Sequence, residues 1–231
     1  MNKLTHFPLC PMSRAVRLAL GELEIEVKLV DERPWEWRAS FLALNPSGEL
    51  PVLELDGQAP LCGAYAICEQ LADGLRTLPS DRRPIHLMPG TREDKAEIRR
   101  LVDWFHRKLD REVTRELLEE KVYGLLAGRP GREANVEMLR AVGANLRYHL
   151  SYVSFLADQR RWLAGDEMSL ADLAAAAHLS VIDYLGEVPW EAFPAAKSWY
   201  QRIKSRRAFR PLLSDRVPGL PPPLAYTDLD F

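Results

Sequence analysis

At 231 residues, 47% hydrophobic and 28% charged, the chain is long enough to bury a substantial core in one large or two modest domains, which excludes a disordered protein. Its 31 Lys and Arg nearly cancel 33 Asp and Glu, so a formal charge of -2 gives no global field to attract nucleic acid or anionic lipid. The opening MNKLTHFPLC lacks a signal-like apolar run and no later stretch reaches the roughly 18 consecutive apolar residues of a membrane span, so a cytoplasmic protein without membrane insertion is expected.

Lys3–His6 is a strand candidate, and Pro8, Pro11 and Ser13 then lead into the apolar spacing Val16, Leu18, Ala19, Leu20, Leu23 of a helix. Residues 26–30 alternate as a half-buried strand, and residues 35–44 read as a second amphipathic helix closed by the turn Asn45-Pro46-Ser47-Gly48. Residues 51–55 form a strand, Asp56-Gly57 a hairpin turn, residues 59–61 a return strand and residues 64–75 a third helix. This β-α-β-α-β-β-α order makes one α/β unit over residues 1–77. Residues 78–90 carry a proline-rich linker. Thr91 and Asp94 then cap a long helix whose apolar stripe is Ile98, Val102, Phe105, Leu109, Val113 and Leu117, ending near Gly124 or Gly128. After Arg129-Pro130-Gly131, Val136, Leu139, Val142, Leu146, Leu150 and Val153 mark another long helix. Ser169 and Asp172 cap a central apolar helix over residues 170–185, and residues 194–206 are a last amphipathic one. An all-helical unit thus spans 91–212, followed by an extended proline-rich tail over 213–231.

Cys10, Cys62 and Cys68 are odd in number and lack metal-ligand spacing, as expected of reduced thiols and no metal site. Cys10 and Ser13 open a helix, where unpaired N–H groups stabilise a thiolate; packing in the loop by Cys10 and capping by Ser13 are the structural alternatives.

Four stretches together resemble the cytosolic glutathione transferases over about residues 3–212: CPMSRAVRLAL at 10–20, GELPVL at 48–53, WLAGDEMSLAD at 162–172, and residues 199–211. The resemblance implies a thioredoxin-like domain followed by an all-helical bundle, with Pro51 cis after Leu50. It also implies a glutathione site built from a first-loop donor, the backbone beside Leu50-Pro51, and a Glu-Ser or Asp-Ser clamp for the γ-glutamyl group. The clamp positions here are Gly63-Ala64. Each charge-assisted hydrogen bond so lost is worth roughly 1.5–3 kcal/mol, and losing the clamp is worth about a hundredfold or more in affinity. The site reads as vestigial unless Cys62 or Gln70 restores it. An active glutathione-dependent transferase or thiol reductase using Cys10 or Ser13, and a small-molecule carrier using the old pocket, are the competing readings.

The tail places Tyr226, Leu229 and Phe231 among Asp228, Asp230 and the terminal carboxylate, which suits docking into a groove or packing on the protein's own bundle. With the missing clamp, this ending resembles the FtsZ-binding bacterial division proteins built on the transferase fold. That resemblance implies non-catalytic, cofactor-free binding to FtsZ filaments at the division site, homodimerisation, and promotion of constriction and septal wall synthesis, with a second division protein as a further candidate partner of the tail. Trp35, Trp37 and Arg38 are interface anchors or core cover. Lys108, Arg111, Arg115 and Glu119 line a groove or form a solvated face. The basic cluster Arg202, Lys204, Arg206, Arg207 and Arg210 has no flanking stacking platform, so no nucleic-acid partner is expected.

Overall fold

The computed structural model describes residues 2–74, 86–128 and 135–229. Its four-stranded sheet comprises β1 (Lys3–His6), β2 (Lys28–Asp31), β3 (Val52–Glu54) and β4 (Leu61–Cys62) in the order β2-β1-β3-β4. The β1–β2 pair is parallel and the other two pairs are antiparallel, with Leu4 opposite both Leu29 and Leu53. Leu4 and Leu53 are buried with Val16 and Leu20 of α1 (Pro11–Glu22) and with Ile67 and Leu71 of α3 (Ala64–Gly74). The Leu50-Pro51 peptide is cis.

Two expectations in this half shift. The strand expected at 26–30 lies at β2 and is an exposed edge, because only β1 pairs with it. The helix expected over 35–44 is a 3₁₀ turn at Pro34–Glu36 and a short α2 (Ala39–Leu44), since Trp37 between them is left-handed, with φ 49°. The return strand also comes later than expected, at β4.

Thr91 and Asp94 form a reciprocal capping box at the start of α4, the long helical run. It passes from α-helical Arg92–Asp103 through π-helical Trp104–Thr114, α-helical Arg115–Leu118 and π-helical Glu119–Tyr123 to Gly124–Leu126. All six residues of the expected apolar stripe are buried. Helices α5 (Val136–Gln159), α6 (Leu170–Tyr184), α7 (Pro194–Lys204) and α8 (Arg210–Leu213) follow. Every residue of α6 is buried, and its Ala174–Ala177 run lets neighbours approach closely. Ser169 caps it, while the buried Asp172 carboxylate accepts from Leu163 N at 2.9 Å, Ser169 N at 3.0 Å and Trp199 Nε1 at 2.9 Å.

Helix α1 packs on α6 and on the 207–209 turn, joining the two units. A Cβ on Gly21 would stand 2.9 Å from the Ala208 Cβ, so this contact needs glycine. The proline-rich linker falls mostly outside the described residues, as do the Arg129-Pro130-Gly131 break, Asp230 and Phe231.

Candidate functional site

The loop after β1 turns back through the Cys10 N–H to Phe7 O bond of 3.0 Å, and Pro11 starts α1 with its φ already helical. Cys10 caps that helix through its sulfur, which accepts from Ser13 N at 3.4 Å, and Ser13 is buried beside it. Trp35 meets Phe7 edge-on at 5.2 Å and Tyr123 of α4 at 5.1 Å, so the three rings form one cluster, and half-buried Cys10 packs against the same buried group of residues. Burial pushes the Cys10 thiol up from its ordinary value, against hydrogen bonding from Ser13 and Met12. The expected thiolate stabilisation at the helix start is therefore outweighed by desolvation. Burial likewise pushes the Tyr123 hydroxyl far up, helped by Cys10 and Glu119.

Leu50 and Pro51 are buried, and Pro51 O accepts from Gly63 N at 2.9 Å. Gly63 has φ 85°, and a Cβ there would meet nothing within 4 Å. Ala64, buried, begins α3. Gln70 is exposed on α3, and the Cys62 sulfur faces Leu44 O at 4.0 Å.

The other residues expected to bind a partner are exposed or half-buried. Trp37 is 65% exposed and lies over Gly48. Arg38 binds the buried Glu32 through two bonds of 3.0 and 2.5 Å. Along α4, Arg111 pairs with Glu112 at 3.2 Å and Arg115 with Asp110 at 2.8 Å, while Glu119 is exposed. The Asn135 N–H to Glu120 bond of 3.1 Å brings the start of α5, with exposed Val136, to this end of α4. Trp35 is half-buried in the aromatic cluster and Trp37 projects, so the two indoles have separate roles.

Of the two roles open to the tail, Tyr226 takes packing on the protein's own bundle and is no free groove anchor: its ring is fully buried. The tail forms a strap across both units and ends in a 3₁₀ turn at Leu224–Tyr226. The Tyr184 hydroxyl accepts from Val217 N at 3.0 Å and donates to Leu220 O at 2.7 Å. Asp215 accepts two bonds from Arg17, at 2.8 and 3.0 Å, and one from Arg14 at 3.4 Å. Tyr226 accepts from Arg14 at 3.1 Å and donates to Leu212 O at 2.9 Å. Asp228 and Leu229 are exposed beyond it.

Arg14, Arg17 and Asp215 escaped the sequence reading. The available signal was a pair of arginines three apart within the apolar run Ala15, Val16, Leu18. The basic cluster is not a continuous surface patch, because Lys204 is buried against Asp183 at 3.6 Å and Arg206 grips Glu22 at 2.6 Å. Among the described residues, no group of three His, Cys, Asp or Glu is placed to hold a metal, and no helix is long and apolar enough to cross a membrane.

The family model "Glutathione S-transferase, N-terminal domain" matches residues 4–74 and "Glutathione S-transferase, C-terminal domain" matches residues 123–207. FtsZ-localized protein A of Caulobacter vibrioides is 48% identical over 99% of this chain and 97% of its own length. Glutathione S-transferase 3 of Zea mays is 30% identical over 96% of each chain. The solved structure of FzlA from C. crescentus has a TM-score of 0.90 at 47% identity, covering 100% of this chain and 99% of that one. A glutathione S-transferase structure from Sinorhizobium meliloti 1021 matches with a TM-score of 0.92 at 46% identity, covering 100% of both chains. The thioredoxin-like and all-helical halves expected from the sequence are thus present, and the chain belongs to the glutathione S-transferase fold family, with full-length similarity to FtsZ-localized protein A.

Proposed function

We infer that this chain is a non-catalytic, homodimeric protein of the cytoplasm that binds FtsZ filaments at the division site and promotes constriction and septal wall synthesis. The observation that carries this reading is the missing clamp: Gly63-Ala64 offers no carboxylate or hydroxyl for a γ-glutamyl group, and Phe7, Trp35 and Tyr123 cluster together on the same buried group of residues as half-buried Cys10. Trp37, Arg38, Arg111, Arg115 and Glu119 are exposed, and tryptophan and arginine are favoured anchors of protein-binding surfaces. Similarity to FtsZ-localized protein A over the whole chain supports the partner. Exposed Tyr148 and Phe155, seven residues apart on one face of α5, with Tyr148 stacked on Trp104 at 6.4 Å, support a contact between two copies.

Co-sedimentation with polymerised FtsZ tests the reading. The purified chain should pellet with filaments, and Trp37→Ala should weaken that binding about tenfold as a truncated aromatic anchor. A chain that stays in the supernatant would remove the assignment. Glutathione-dependent transfer or thiol reduction by Cys10 or Ser13 is the second reading, supported by Cys10 at the start of α1. Turnover of a generic electrophile with glutathione, abolished by Cys10→Ala, would establish it instead.

A further inference from the structure

We propose that the open edge of β2 and the groove beside it dock an extended peptide, which adds to the sheet as a further strand and seats an apolar and an acidic side chain between the two units. The edge supplies the backbone half of this site. Lys28 N–H donates to Asn2 O at 2.9 Å and Glu32 N–H to His6 O at 2.8 Å, so these residues turn their backbone groups toward β1. Strand alternation then points the N–H and C=O of Leu29 and Asp31 outward, where no strand pairs with them among the described residues.

The groove supplies the side-chain half. Leu29 lies opposite Leu4, which is buried with α1, so its side chain is on the α1 side of the sheet and yet is 41% exposed. With Leu20 and Val27 from the first unit and Ala208, Pro211 and Leu212 from the second, it lines a groove of about 660 Å³. A strand added beside Leu29 sets every second side chain over that groove. Arg207 lines it too, exposed and bonded to no carboxylate among the described residues. Outward backbone groups, apolar walls and an unpaired guanidinium together select the occupant: an extended segment with an apolar residue and, two positions along on the same face, a carboxylate. A helix cannot answer the Leu29 and Asp31 backbone groups, because its own are bonded internally. A second copy paired through its own β2 would bring its 207–212 segment onto the same face and into the groove, where a free segment fits.

The test uses the full chain and a fluorescein-labelled peptide, Thr-Val-Thr-Phe-Thr-Asp-Thr, whose Val, Phe and Asp share one face. Anisotropy should show saturable binding with a Kd on the order of 100 µM, as for a short unconstrained peptide. N-methylation of the Val, Phe and Asp amides, and separately of the Thr amides, blocks one edge of the added strand at a time. One set should abolish binding and the other should change it by less than about twofold, since only one edge faces β2. Exchange of the Leu29 and Asp31 amides should slow by more than about tenfold at saturation. Arg207→Glu should weaken binding about tenfold, and replacing the peptide's Asp by Lys should restore it. Leu29→Pro removes an outward donor that the sheet does not use and should abolish binding. If that variant does not fold, the methylated peptides and the Arg207 charge exchange decide alone. No saturation at millimolar peptide, or binding that both methylated sets keep or both lose, overturns strand addition. A preference for Asp that survives Arg207→Glu overturns the acidic assignment, and wild-type dimers that Leu29→Pro dissolves would give the edge to a second copy and overturn the peptide. No arm of this test contains FtsZ, so its outcome is independent of the function proposed above.

Discussion

At its first turn α1 brings Cys10 and Ser13 to the corner where Phe7, Trp35 and Tyr123 cluster; from the next residue on it brings Arg14 and Arg17 to the C-terminal strap. The first end has the features from which thiol chemistry is made, a sulfur and a hydroxyl at a helix start, yet burial raises the thiol and no clamp faces it. The second has features of anion recognition, two guanidinium groups converging on Asp215 and a phenol, and they are occupied by the protein's own tail. In this chain the polar specificity near the cleft therefore holds the polypeptide together. Trp37, Glu119, Asp228 and Leu229 are exposed.

The largest contrast should appear in stability. Arg14→Met removes the donor for Pro8 O, Ser180 and Tyr226 and leaves Asp215 with Arg17 alone, so urea unfolding should show a loss of about 3–5 kcal/mol, as when one partner of a buried ionic network is removed. Cys10→Ser, which keeps a cap at the other end of the turn, should cost less than about 1 kcal/mol. Equal costs would break the distinction between the two ends.

Acid should weaken the helical core behind the cleft. Burial pushes His106 down from 6.5 to about 4, and His178, 3.1 Å away, is held well below 6.5 by burial and then by His106 and His149. Both histidines are deprotonated in the folded protein over a range in which the unfolded chain protonates, so the unfolded state binds more protons between pH 6.5 and about 4. Stability is full above pH 6.5 and falls as pH drops through that window. Melting temperature against pH should show this decline, with a shallower slope in His106→Gln. A flat profile would contradict the buried neutral pair.

The aromatic cluster makes a smaller, local prediction. Trp35→Ala should open the corner at Cys10 and raise its alkylation rate by about tenfold, since access and thiolate fraction both increase when the thiol is rehydrated. An unchanged rate would mean that Trp35 does not shield the sulfur. The smallest change in folding should come from removing residues 228–231. Urea unfolding should shift by less than about 0.5 kcal/mol, since Asp228 and Leu229 are exposed, while division activity is impaired. A marked drop in melting temperature would make the end of the tail part of the strap.

Much of this was legible in the chain itself. Hydroxyl and carboxylate three residues apart at Thr91/Asp94 and Ser169/Asp172 marked two helix starts, and the stripe from Ile98 to Leu117 marked the buried face of α4. Those features are local, repeating every three or four residues. The missing clamp was equally visible, as a dipeptide without a polar side chain. The strap was not, because Tyr226 is 212 residues from Arg14 and its environment comes from α1, α6 and α7 together. A proline-rich segment carries no period from which burial can be read. Trp37 likewise broke the expected second helix through a left-handed backbone that no propensity favours.

The proposed function requires the cleft face to bind protein and not glutathione. Co-sedimentation with FtsZ filaments, titrated with millimolar glutathione, tests it in one measurement. The chain should pellet with filaments, and the pelleted fraction should stay constant across the titration. Release by glutathione, or no pelleting at any concentration, would contradict it.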